Sequence, residues 1–73
     1  MPYFNFDLVT GAQFKSQGGM ILENTDLAID KAHSLARELR LARPELVECS
    51  VRVTDRNSNE IYRTPVLQVF GHG

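Results

Sequence analysis

The sequence predicts an α+β fold, ββαββ, in which a four-stranded antiparallel sheet carries one helix packed on one face. Three observations support this. Apolar and polar residues alternate near both ends of the chain, a central alanine-rich segment follows a helical period instead, and short stretches rich in Gly, Asn, Asp and Ser punctuate the runs. At 73 residues the chain suits one small domain, residues 1–73, which hides only about 60% of the surface its unfolded form exposes.

From Tyr3 to Val9, Phe4, Phe6 and Leu8 share one face and Tyr3, Asn5, Asp7 and Val9 the other, so a first strand is expected there with its phenylalanines in the core. Thr10-Gly11-Ala12 reads as a turn. Phe14 stands as an isolated apolar residue, Gly18-Gly19 marks a second break, and Met20 to Glu23 reads as a short second strand. Asn24-Thr25-Asp26 then offers a side-chain oxygen to a free first-turn amide and a carboxylate to the positive end of the helix dipole. A helix from Asp26 to Arg43 follows. At about 100° per residue, Ala28, Ala32, Leu35, Leu39 and Ala42 form its apolar stripe with Ala36 at the edge, and Asp30, His33, Ser34, Arg37 and Glu38 lie opposite. The alanines allow a close approach to the sheet, so Leu35 and Leu39 are expected to supply the bulk. Pro44 stops the helix.

Beyond it, Val47, Cys49, Val51 and Val53 alternate with Glu48, Ser50, Arg52 and Thr54, a third strand rich in β-branched residues. Residues 60–70, "EIYRTPVLQVF", read as a fourth strand interrupted by Pro65, which places it at an edge or a bulge. Two hairpins flank one helix, and a right-handed crossover between them gives the strand order 2-1-3-4 with one face under the helix.

With these elements in place, the sequence resembles a family of short bacterial proteins catalogued as a domain of unknown function. The resemblance covers nearly the whole chain and rests on Tyr3-Phe4 followed by Phe6-Asp7 in "MPYFNFDLVTG", on Asp26-Leu27-Ala28 with Ala32, on "VRVTD" in the third strand and on Pro65. The sequence departs from the family's pattern where "KSQGG" replaces an acidic loop and where Asn57-Ser58-Asn59 replaces the glycine of the last hairpin. What the resemblance implies is the fold; the motif positions are structural and carry no catalytic signature.

Composition narrows function further. Hydrophobic residues make up 42% and charged residues 23%, ordinary globular usage, and eight basic against nine acidic side chains leave a net charge of −1, which lacks the positive field that favours nucleic acid. One cysteine, Cys49, forms no internal disulfide, which fits a reducing compartment and hence the cytoplasm. The N-terminus lacks the pattern of a signal peptide, and no apolar run approaches the roughly 18 residues of a membrane span.

Few residues look like chemistry. "DRNSNE" puts oxygens at the first, third and fifth positions of a calcium loop, but Glu60 stands where the loop needs its bending glycine and Val66 where it needs a bidentate glutamate. It reads as a hairpin turn. His33, Arg37 and Arg40 share one side of the helix, with Arg43 and Arg52 as possible extensions, and are the candidate phosphate contacts of a weak nucleic-acid binder. The simpler account is that the arginines complement the negative end of the helix dipole. Tyr3, Val9, Tyr62, Val66 and Phe70 are the candidate interaction residues, expected on or near the uncovered sheet face with a register that depends on Pro65. Because Asp7 and Glu48 share that face, a partner protein fits it better than stacked RNA bases. His33 and His72 have no local triad partners, Cys49 lies on an apolar strand face, and two histidines with one buried cysteine are too few for a zinc site. The expectation is therefore a non-catalytic interaction module without cofactor or metal, self-associating as a homodimer, with an unknown protein partner and nucleic acid as the disfavoured alternative.

Overall fold

A computed structural model describes residues 2–43 and 48–66. The elements run β1 (Tyr3–Thr10), β2 (Gln13–Ile21), α1 (Thr25–Ala42), β3 (Cys49–Thr54) and β4 (Glu60–Pro65). All neighbouring strands are antiparallel, in the order β2-β1-β3-β4. The ββαββ architecture and the strand order agree with the sequence reading.

β1 lies between β2 and β3, and its Phe4, Phe6 and Leu8 are buried and meet Cys49, Val51 and Val53 of β3 beneath the helix. The helix begins where Asn24, in extended backbone, accepts the Leu27 N–H at 3.0 Å, which satisfies a first-turn amide that would otherwise lack a partner. Ala28, Ala32 and Ala36, at i, i+4 and i+8, are its buried line. This corrects the expected stripe. Ala36 lies inside rather than at the edge, Ala42 is exposed, and Leu35 and Leu39 flank the contact half-buried. Small side chains let the helix backbone settle on the sheet, so the core volume comes from the strands' Phe and Val residues. At the other end the Arg43 N–H donates to the Leu39 carbonyl at 2.7 Å. Pro44, Val47, Phe70 and His72 lie outside the described residues.

The second strand also differs from the reading. It starts at Gln13 rather than Met20 and ends at Ile21 rather than Glu23. Gly11, at φ 61°, and Ala12 form a tight turn that sends the chain straight back along β1. The glycine pair does not break the strand but bulges it. The pairing steps from Asn5↔Gly19 to Asp7↔Ser16, which leaves one extra residue on β2 opposite Phe6, and Gly18 sits there at φ 106°, where L side chains are strained. Its N–H donates to Ser16 Oγ at 3.2 Å, so the bulge satisfies its own stray amide.

Candidate functional site

The sheet face away from the helix is built from rows that the register fixes. Phe14, Val9, Ser50 and Pro65 form one row; Ser16, Asp7, Arg52 and Arg63 the next; Gly19, Asn5 and Thr54 a third; Ile21 and Tyr3 the last. The second row is charged across its width. Arg52 donates to Asp7 Oδ2 at 3.0 Å with the two side chains only 21% and 14% exposed, and its guanidinium carbon lies 4.1 Å from the centre of the Phe14 ring. The Arg52 Nε is buried without a partner. Arg63, directly across from Arg52, turns away to Glu60 in a bidentate pair at 2.7 and 3.0 Å. That hydrogen bond holds the Glu60 carboxyl below its ordinary range and raises the Arg63 guanidinium. Two cations facing each other across adjacent strands repel, and each is instead neutralised by its own carboxylate.

Of the candidate interaction residues, Tyr3 and Val9 lie on this face. Val9 is buried between Phe14 and Ser50 in its row. The half-buried Tyr3 donates to Asn5 Oδ1 at 3.2 Å and lies over Gly19, where an added Cβ would come within 2.6 Å of the ring's Cζ. Tyr62 and Val66 are on the opposite face. Pairing steps from Thr54↔Glu60 to Val53↔Tyr62, so Ile61 is a bulge, and that one-residue slip turns every later side chain of β4 over. Val66 is buried in the core, its N–H donating to the Cys49 carbonyl at 2.8 Å. Tyr62 reaches the helix, with its hydroxyl 2.8 Å from His33 Nε2 and the rings 5.5 Å apart. An aromatic patch on the open face is therefore not assembled from the described residues.

The helix patch is similarly rearranged. His33 is engaged with Tyr62, Arg40 is half-buried with an interaction partner, Arg37 is exposed, and Arg52 lies on the other side of the sheet. Segment 55–59 is the expected turn. The Asp55 Oδ1 accepts the N–H groups of Asn57 and Asn59 at 2.8 and 2.9 Å, the Ser58 N–H donates to the Asp55 carbonyl at 3.0 Å, and Ser58 takes left-handed backbone at φ 66°. The Asn59 amide leads the groups that hold the Asp55 carboxyl below its usual range. Burial raises the Cys49 thiol. Among the described residues, no group of three or more His, Cys, Asp or Glu side chains is placed to hold a metal ion, and no helix is long and apolar enough to cross a membrane.

What sequence reasoning passed over is β2 itself. The strand is exposed along its length, with Gln17 alone half-buried, and it borders the sheet. The helix packs on β3 and β4. Beside it a shallow groove of about 170 Å³ opens between Phe6, Gln17, Gly18, Gly19, Met20, Lys31 and Leu35. Phe14 and Ile21, 54% and 58% exposed, project on the open face, and Met20 projects on the helix side. The signal was present in the tight Gly11-Ala12 turn, which forces Phe14 opposite Val9. A period-two pattern with a bulge in its middle loses its period.

A family model described as a domain of unknown function, DUF6894, matches residues 3–68. No curated protein and no solved structure matches significantly.

Proposed function

The chain belongs to DUF6894, a domain of unknown function, and from a sheet edge that is exposed among the described residues we propose that it is a non-catalytic protein-interaction module that self-associates through β2. The carrying observation is an edge strand of nine residues that is exposed nearly throughout and bears the large apolar side chains Phe14, Met20 and Ile21. An unpaired edge is a template for another strand, and apolar side chains beside it add burial to the main-chain hydrogen bonds. A domain this small gains stability from covering such an edge with a second copy. The open face is less suited to the role, because its second row is charged and its cations are already paired. Cys49, free and buried, fits the cytoplasm as the working compartment.

Native mass spectrometry across a dilution series tests the reading. A homodimer at tens of micromolar that persists in high salt is expected, since strand pairing and apolar contact are little screened. A strictly monomeric chain at high micromolar concentration overturns it. So does a salt-sensitive mass increment from bound RNA or DNA, the outcome that would restore the helix patch of His33, Arg37 and Arg40.

A further inference from the structure

The exposed edge of β2 carries enough information to fix how a second copy would dock. In an antiparallel ladder, residues alternate between pairs that exchange both backbone hydrogen bonds and pairs whose N–H and C=O groups point away. The tight Gly11-Ala12 turn makes Thr10 and Gln13 a bonded pair, and at the far end the Leu22 N–H donates to the Pro2 carbonyl at 3.0 Å. Counting inward from both ends, Phe14, Ser16, Gly19 and Ile21 are the positions of β2 that turn their backbone groups outward.

We propose that two copies pair β2 against β2 about a two-fold axis, with Phe14 opposite the partner's Ile21 and Ser16 opposite the partner's Gly19. This rests on the self-association reading and adds its register. Phe14 and Ser16 are spaced as Gly19 and Ile21 are, and both strands carry the same bulge between the two pairs, so this alignment lets every outward position find an outward position. The bulges meet at the axis, where Gly18 and Gly19 bring no side chain into the way and the Gly18 N–H is already bonded to Ser16 Oγ.

Side chains agree with the backbone. Phe14 and Ile21 are both on the open face, being paired with Val9 and Tyr3 of β1, and they are the most exposed large apolar residues of the strand. The proposed register buries each against the other, twice. On the helix side, Lys15 falls opposite the partner's Met20, where its aliphatic stem lies along the thioether and its ammonium stays in water. The two Lys15 side chains end up near opposite ends of the paired strands, so like charges do not meet.

A disulfide ruler tests the register. Directly opposed residues in a bonded antiparallel pair have Cα atoms about 5.5 Å apart, within disulfide reach, whereas positions 14 and 21 of one strand are about 20 Å apart. The variant carrying both Phe14→Cys and Ile21→Cys is expected to give a covalent dimer with oxidised glutathione, and neither single variant should. Equal cross-linking by a single variant overturns the register, as does a double variant that stays uncross-linked while native mass spectrometry still shows a dimer. A monomer in both measurements removes the self-association reading itself. A charge swap gives a second readout: Phe14→Glu or Ile21→Lys alone should weaken dimerisation by about tenfold or more, and the pair together should recover most of it. Failure of the combined variant to exceed both single variants overturns the proposal, provided circular dichroism shows each folded.

Discussion

The two hairpins of this fold are built on opposite principles. β3–β4 lies under the helix, with Val51, Val53 and Val66 fully buried, and its turn is closed by a network centred on one carboxylate. β1–β2 shares the core only through β1; β2 is exposed, bulged at glycine and edged with apolar side chains. One hairpin is finished within the chain. The other is buried on one strand only, and the contrast teaches that a small sheet can concentrate its core on one side and leave a whole strand exposed on the other.

Phenylalanine gives the sharpest way to break this contrast, because β1 and β2 carry it in opposite settings. Phe6 is buried in the core, so Phe6→Ala should cost about 3–5 kcal/mol by chemical denaturation, comparable with the whole stability expected of a domain this small. Phe14→Ala should cost the fold less than about 1 kcal/mol, partly through the lost Arg52 contact, and should weaken the proposed β2 pairing. Equal folding losses at the two sites would erase the distinction.

Arg52→Met tests how far the open face belongs to the fold. It leaves the largely buried Asp7 carboxylate without its partner and should destabilise by about 1–3 kcal/mol, and adding Asp7→Asn should recover part of the loss. If the single variant is neutral, the buried ion pair contributes nothing and the open face is only a surface.

The smallest effect sharpens the other hairpin. Asp55 and Glu60 are held below their ordinary pKa values in the folded state, Asp55 chiefly by the Asn59 amide and Glu60 chiefly by Arg63. Their stabilisation is therefore fully present above the ordinary carboxylate range of about 4 and fades as pH falls through the lowered folded values. Urea midpoints should drop modestly between pH 5 and pH 2. Asp55→Asn should flatten that dependence, and an unchanged slope would remove Asp55 from the account.

These contrasts also explain what could be read in the residues beforehand. β1 and β3 were legible because uninterrupted alternation maps directly onto two faces, and Asn24 with Asp26 announced the helix start. The element order and the strand order followed. β2 was shortened because the bulge at Gly18 erases its period, so Phe14 looked isolated although a tight turn places it opposite Val9. Tyr62 and Val66, expected on or near the open face with a register set by Pro65, lie on the helix side because the slip at Ile61 reverses parity, and a bulge leaves no compositional mark when the extra residue is itself apolar. The helix face was rotated because alanine and leucine count equally as apolar, whereas close packing favours the small side chain at the centre. Of the candidate interaction residues, Tyr3 and Val9 fall on the expected open face, and the face of Tyr62 and Val66 followed from a register that the sequence does not show.

The placement of the two tyrosines gives each region its own optical reporter. The chain has no tryptophan to dominate its near-ultraviolet emission. Tyr3 pairs with Ile21 and lies over Gly19 beside the bare edge, while Tyr62 meets His33 between sheet and helix. Replacing either ring with phenylalanine would leave a single tyrosine, so the surroundings of the β2 edge and the seating of the helix would each be read as an intensity change in its own variant.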